Sequence, residues 1–417
     1  MLKRLFPVLL SLCLFGCGTP KKSCDYPLFE SAWNKITENY AEPVTGERLF
    51  SGALKVTENE VGKNVPVPKY ARDSHYTPSG FWRYHFEMTG KLPSSNACYS
   101  MIKGMVVSLQ SRHSYYLKPA ERLLSEEIAN ELGGVGFFLF KKGPSQPALI
   151  YKVFGNSNAA INGIEPGDEI LKIDGGPVTD LYDGQVAYLL RGKIGSLLEL
   201  TIKKTNSSVK VVDLEREKRD QAAYCENTGA GIPYCAITTF SAKNIAEIFA
   251  EELHKKTGYD QKQILILDLR YNHGGFVDEA HHVAELWLGK KVFATTKTRS
   301  ELKTYQGSRK PLGVKKIVIL ANDDTASASE MLAMALRDYN LAIIIGVKTY
   351  GKGEIQYTFT LKDKSRLVLV SGYWFPPDGK NINYIGIPPD YEVSLTAQDL
   401  KNKRDPQMEV AIELIKQ

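Results

Sequence analysis

Apolar positions along this chain change their period as it is read from the N-terminus. Between residue 27 and about 117 they recur at helical spacing, first Phe29, Trp33 and Ile36, then Leu49, Leu54 and Val61. A further helix is predicted over 99–109, and the stretch 63–96, rich in proline and aromatics, reads as a long irregular excursion. From about 218 short apolar runs alternate with amphipathic stretches. The runs at 264–267, 317–320 and 343–345 are continuous, as in strands buried on both faces. Between them Ile245, Ile248, Phe249 and Leu253 share one helical face, and helices are predicted over 277–288 and from 331 onward. Such alternation predicts an α/β core with a largely parallel sheet. Residues 357–361 and 367–370 read as a hairpin turned at 362–365, and an amphipathic helix over 406–415 closes the chain.

Totals add limits. At 417 residues two or three domains are expected, and 43% apolar with 24% charged residues is a globular balance. The first sixteen residues carry Lys3 and Arg4 ahead of a nearly apolar run too short to span a bilayer, so they read as a processing signal. The signal ends in Leu14-Phe15-Gly16-Cys17, which resembles a bacterial lipoprotein box. Cleavage before Cys17 and lipidation of its thiol and new amine are expected, with an ordinary secretory signal as the alternative. The chain would then be exported and held on a bacterial envelope membrane, on its periplasmic or outer-membrane face. Losing residues 1–16 lowers the net charge from +6 to +4, and the basic residues are scattered, which argues against nucleic acid as a partner. In an oxidising compartment Cys24, Cys98, Cys225 and Cys235 allow three pairings. Cys225 and Cys235 flank a loop that could hold them close, leaving Cys24 with Cys98; four free thiols stay open.

Chemistry concentrates at Thr325-Ala326-Ser327-Ala328-Ser329-Glu330, between an apolar run and a helical pattern. Small residues on a strand-to-helix passage expose a serine beside a helix N-terminus, where unpaired N–H groups face developing negative charge. A serine needs a base. Lys352 follows Ser327 by 25 positions (352 − 327), between Gly351 and Gly353, and Gln356 lies four residues further.

These segments resemble the serine–lysine signature of the carboxy-terminal processing (tail-specific) proteases, serine peptidases of family S41. Asp268-Leu269-Arg270-Tyr271-Asn272-His273-Gly274-Gly275 resembles that family's Asp-Leu-Arg-Asn-Asn-Pro-Gly-Gly, departing at Tyr271 and His273. Residues 128–217 resemble a PDZ domain. Gly133-Gly134-Val135-Gly136-Phe137-Phe138 matches its carboxylate-binding loop, and Ala159-Ala160, residues 164–170 and Ile173-Asp174-Gly175 follow in the expected order. The resemblance implies a crotonase/ClpP-like α/β catalytic core over 218–417, an inserted PDZ domain over 128–217, and a tether with an N-terminal helical region over 17–127. It also implies an endopeptidase that takes protein or peptide substrates with apolar C-termini and uses no metal or organic cofactor. An adaptor or a homo-oligomer is left open.

Roles follow residue by residue. Ser327 is the expected nucleophile, and Ser329 competes but would sit inside the helix. Lys352 is the expected general base, which requires its pKa to fall by about three units; burial can supply that. Gln356 is neutral and can orient the amine without stabilising its charged form. The oxyanion donors are expected at Ala328 and at Gly274 or Gly275, the loop 133–137 is expected to hold the substrate carboxylate, and Arg191 is expected either to couple the PDZ and protease regions or to be a plain surface arginine. His281 and His282, with Glu279 and Glu285 near, admit a triad or metal reading, but no zinc-like spacing accompanies them, and packing or solvation is favoured. The rivals are a non-proteolytic lipoprotein of the same fold that binds peptides or hydrophobic ligands, and an esterase using the same nucleophile.

Overall fold

The computed structural model describes residues 24–69, 73–122, 132–155, 157–218, 222–258, 264–312 and 316–416. Cys17 and the signal segment before it lie outside the described residues. The chain divides into two compact units. Unit 1 takes the described parts of Met1–Glu38, Val44–Pro119 and Phe359–Leu367; unit 2 takes those of Asn39–Pro43, Ala120–Thr358 and Val368–Gln417.

Unit 1 is built from helices α1 (Tyr26–Asn39), α2 (Gly46–Val61), α3 (Pro78–Thr89) and α4 (Ser95–Ser108), followed by strand β1 (Tyr115–Leu117). Hydroxyls of Thr45, Thr77 and Ser94 cap α2, α3 and α4. Helices α2 and α4 cross at two glycines: a Cβ on Gly104 would stand 2.3 Å from the Gly52 carbonyl oxygen, so neither position admits a side chain. The core centres on Phe81, stacked on Phe29 at 5.4 Å and meeting Phe50 edge-on at 4.9 Å. Helix α3 lies inside the stretch expected to be irregular. Its Pro78 occupies the first turn, where a missing N–H costs nothing, and Gly90 ends it in the left-handed region. A disulfide joins Cys24 to Cys98.

Unit 2 contains a smaller β region and a larger α/β core. The former comprises β2 (Leu132–Gly133), β3 (Phe137–Phe140), β4 (Ala148–Val153), the short α5 (Asn158–Ile161), β5 (Glu169–Ile173), β6 (Gly176–Pro177), α6 (Asp183–Leu190), β7 (Gly192–Lys193), β8 (Leu197–Lys203) and β9 (Val209–Glu215). Its antiparallel sheet runs β3-β4-β5-β8-β9 with β6 beside β5, while β2 pairs with β7. Val135, Phe137, Ile150, Ile170, Val186 and Leu200 are among the side chains that fill its interior.

The core begins with β10 (Ala223–Asn227), β11 (Pro233–Ile237), α7 (Ile245–Thr257), β12 (Ile264–Asp268) and α8 (Val277–Leu288). Then come β13 (Val292–Thr298), β14 (Leu302–Gln306), β15 (Lys316–Ala321), α9 (Ala328–Asp338), β16 (Ala342–Gly346), β17 (Glu354–Thr360), β18 (Arg366–Phe375), β19 (Tyr391–Glu392), α10 (Ala397–Lys401) and α11 (Pro406–Lys416). Strands β11, β12, β15, β16 and β19 are parallel, with β10 antiparallel at one edge. Alternation explains the unbroken apolar runs. Leu265, Leu267, Ile317 and Ile319 face the cluster of α7, α8 and α9, while Ile266, Val318 and Leu320 face that of α11. Cys225 and Cys235 stand directly opposite on β10 and β11 and form a second disulfide. The hairpin of β13 and β14 joins β18 in a second sheet that also holds β17. That hairpin and β10 carry no signal read from the sequence pattern above; β14 is almost wholly exposed, and β13 mixes threonines with apolar residues.

Candidate active site

Ser327 lies just past the C-terminal end of β15, immediately ahead of α9, in the place where open parallel sheets bind ligands. Its backbone is strained, with φ +57° and ψ −119°. The loop before it enforces this. Thr325 Oγ1 donates to the Leu269 carbonyl at 2.9 Å, and Ala326 N–H donates to the Asn272 carbonyl at 3.0 Å. Ser327 is half-buried and lines a cleft. Ser329, its competitor, is fully buried in α9, and its hydroxyl meets no hydrogen-bond partner among the described residues.

Lys352 stands on the loop between β16 and β17 and lines the same cleft. Its Nζ donates to Gln356 Oε1 at 2.7 Å, and no hydrogen bond joins it to Ser327 Oγ. Burial pushes the Lys352 ammonium below the ordinary lysine value, opposed in part by the carboxylates of Glu354 and Glu330. The indole N–H of Trp374 donates to the Lys352 carbonyl at 2.8 Å and fixes the loop.

One buried side chain fastens both segments. Glu330 Oε2 accepts from Ser327 N–H at 2.8 Å and from Lys352 N–H at 2.9 Å, while Oε1 accepts from Gly351 N–H at 2.7 Å and from Thr349 Oγ1. Burial raises its pKa despite these four donors. No role was assigned to Glu330 from sequence, yet its signal was there: Ser327 and Glu330 have the spacing of a capping box, with the acid three positions into the helix.

Two of the expected oxyanion donors remain usable. Ala328 N–H and Gly275 N–H take no partner among the described residues. Gly274 N–H is already committed, donating to Asn272 Oδ1 at 2.9 Å, and Asn272 Nδ2 donates to the Ile237 carbonyl at 2.8 Å. Gly274 itself packs against the serine loop: a Cβ there would come within 2.8 Å of Ala328 N. Gly275 (φ +148°) lies against Phe240, whose backbone carbon would be 2.1 Å from a Cβ.

The loop 133–137 lines the same cleft, with a volume of about 910 Å³, as do Leu139 of β3 and Ala187 and Leu190 of α6. Gly133 belongs to the β2–β7 pair, and Gly134 exchanges two backbone hydrogen bonds with Glu217. Val135 and Gly136 keep N–H groups without a partner among the described residues, and Gly136 has φ +88°. Phe137 is buried in the sheet core. Arg191 is exposed at the cleft edge, and its guanidinium meets no hydrogen-bonding or ionic partner among the described residues. Arg216, which sequence reasoning missed, is the buried arginine that organises this corner, donating to the carbonyls of Leu189, Leu190 and Leu197 and to Ser196 Oγ. His281, His282 and Glu285 bring ligand-type atoms within 4.8 Å of one another. Glu285, however, is held by Ser308 N–H and by Arg309, and the His281 ring packs against Phe293 and Tyr305.

The family model described as peptidase family S41 matches residues 231–393. A probable CtpA-like serine protease of Staphylococcus haemolyticus is 31% identical over 350 residues, 83% of this chain and 67% of the relative. A carboxyl-terminal-processing protease of Picosynechococcus is 30% identical over 342 residues, 78% of this chain and 81% of the relative. Among solved structures, a photosystem II D1 C-terminal processing protease matches 88% of this chain and 93% of its own with a TM-score of 0.55 at 23% identity, a likeness of fold. Identity at this level over most of both chains, with a serine and a lysine in one cleft, establishes that the chain belongs to peptidase family S41, as a serine peptidase of the carboxyl-terminal-processing kind.

Proposed function

We propose that this chain is an endopeptidase that recognises protein substrates by an apolar C-terminal tail and cleaves them through Ser327 and Lys352. The observation that carries this is the single cleft lined by both the 133–137 loop and Ser327, Lys352 and Gln356. We read residues 128–217 as a PDZ domain and 218–417 as a crotonase/ClpP-like core. A substrate tail adds beside β3, its carboxylate on the N–H groups of Val135 and Gly136, its apolar side chains against Leu139, Ala187 and Leu190. Ser327 Oγ attacks the scissile carbonyl carbon while its proton passes to neutral Lys352 Nζ, which has turned from Gln356. The N–H groups of Ala328 and Gly275 receive the oxyanion. Collapse breaks the C–N bond, Lys352 returns the proton to the leaving amine, and water hydrolyses the acyl-enzyme. A lipid on Cys17 would hold the enzyme at an envelope membrane.

An unfolded protein ending in apolar residues tests the reading. Wild type should cleave it, and Ser327→Ala and Lys352→Ala should each lose roughly 10³-fold or more of kcat, since members of such a unit act together. Binding of the tail without cleavage by wild type would favour the non-proteolytic alternative, and undiminished hydrolysis in either variant would refute the dyad.

A further inference from the structure

The cleft that holds Ser327 also contains a carboxylate that the fold leaves unpaired. Asp324 stands three residues ahead of Ser327 and lines the cleft, half-buried. Its backbone is fixed by a tight turn. Thr325 N–H donates to the Asn322 carbonyl at 3.0 Å, Asn322 N–H donates to Thr325 Oγ1 at 3.0 Å, and Asp324 N–H donates to Asn322 Oδ1 at 3.3 Å. Among the described residues no hydrogen bond or ion pair reaches the Asp324 carboxylate. Burial and the neighbouring Asp323 push its pKa up, against the opposing influence of His273 and Lys142. Neither of these pairs with it. Lys142 Nζ is bound to Asp323 Oδ2 at 2.5 Å, and His273 lies exposed along the cleft. Asp183, the first residue of α6, lines the same cleft and adds a further negative charge near Asp324. A carboxylate withdrawn from water without a partner is costly, and a cationic group of a ligand would relieve that cost.

We propose that Asp324 forms a cation-selective subsite of this peptidase, taking a lysine or arginine side chain of the substrate. Its place decides on which side of the scissile bond that residue falls. Asp183 opens α6, whose Ala187 and Leu190 line the cleft where the tail is proposed to sit. The ring of Tyr271, stacked on Phe138 of β3, also feels the Asp324 charge. Asp324 therefore lies between Ser327 and the tail-bearing strand, on the path of the residues that follow the scissile bond. The basic residue belongs within the first few positions after the cut, ahead of the apolar tail. An acidic residue there would face Asp324, Asp183 and Asp323 and be rejected. The subsite rests on the reading above, cleavage at Ser327 of a substrate whose tail sits beside β3.

The test gives the full chain a mixture of synthetic unfolded peptides that share one apolar C-terminus and vary at the positions before it. A second mixture ends in two aspartates, Ser327→Ala supplies the background, and cuts are mapped by mass spectrometry. Wild type should enrich lysine and arginine in the first few positions after the cut and deplete aspartate and glutamate. Single peptides with Lys, Gln or Glu at the mapped position should fall in that order in kcat/KM, with Lys above Gln by about tenfold or more, the worth of a hydrogen bond to a charged group. Asp324→Asn should bring the Lys and Gln peptides level, while Asp324→Glu should keep the order. Cleavage by wild type without a basic preference overturns the subsite, and so does a preference that survives intact in Asp324→Asn. Should that variant not fold, Asp324→Ser serves the same comparison. Failure to cut any peptide refutes the proposed endopeptidase and the subsite with it. Equal cutting of the two mixtures refutes tail recognition, a separate result read from the same data.

Discussion

Replacing Glu330 puts the anchoring of the site to a quantitative test. In Glu330→Gln one oxygen remains and an NH2 group stands where the other was. The least costly orientation turns the oxygen to Ser327 N–H and Lys352 N–H, which leaves Gly351 N–H facing a donor. Thr349 Oγ1 cannot compensate freely, since it already accepts from Ile387 N–H at 2.7 Å. One buried N–H left unpaired costs about 1–3 kcal/mol, reduced somewhat because the neutral amide is cheaper to bury than a carboxylate. Glu330→Ala strands three N–H groups at once, about 3–9 kcal/mol, which approaches the stability of a whole domain. Glu330→Gln should therefore fold with a lower urea midpoint, lose about tenfold or more in kcat, and leave substrate KM largely unchanged, because a misplacement of about 1 Å between nucleophile and base costs on the order of 10²-fold. Glu330→Ala should be poorly soluble. Denaturation curves and steady-state kinetics on an apolar-tailed protein substrate check this. Wild-type kcat and midpoint in Glu330→Gln would show that the shared carboxylate does not set the Ser327–Lys352 geometry.

Other outcomes follow from the same geometry. Under the proposed dyad, in which neutral Lys352 takes the serine proton, burial of Lys352 should make kcat/KM rise with pH to an inflection below the ordinary lysine value. A Gln356→Glu variant places a carboxylate on Nζ and should move that inflection upward by about 1–3 units; an unmoved pH–rate profile would remove Gln356 from the base's surroundings. Asn272→Leu frees Gly274 N–H and unpairs the Ile237 carbonyl, and it should cost about 10²-fold or more in kcat, measured beside a circular-dichroism melt that reports any general loss of fold. Replacing Cys225 and Cys235 together by serine should lower stability by about 2–4 kcal/mol in denaturant titrations, with catalysis retained under native conditions.

The parallel core was legible because its strands are buried on both faces: the apolar runs at β12, β15 and β16 have no other simple reading. Ser327 and Lys352 were legible because small residues and glycines bracket them at family spacing. What stayed hidden depended on tertiary pairing. Helix α3 was concealed by Pro78, which reads as a breaker until Thr77 is seen to cap the turn it begins. Strand β14 faces solvent and lacks the alternation that would announce it. Gly274 and Gly275 are chemically alike in the sequence, and only the Asn272 side chain, which claims one of the two N–H groups, tells them apart.

The departures from the family pattern at Tyr271 and His273 take on a physical meaning once the loop is seen. Asparagine tolerates a left-handed backbone cheaply, whereas tyrosine needs contacts to hold it there, and this chain provides them from β3 and β4. Proline would rigidify the residue ahead of the glycines; His273 does not, so the loop's rigidity must come from Asn272 and from the backbone bonds of Phe240 to Gly274 and Phe276. The 272–275 loop is therefore set by contacts that reach beyond it, while Ser327 and Lys352 are set by one buried carboxylate beneath them. A perturbation at Glu330 should then alter both kcat and the Lys352 inflection. Carboxylate loss there removes a negative charge that raises the Lys352 pKa, so the inflection should fall in Glu330→Gln.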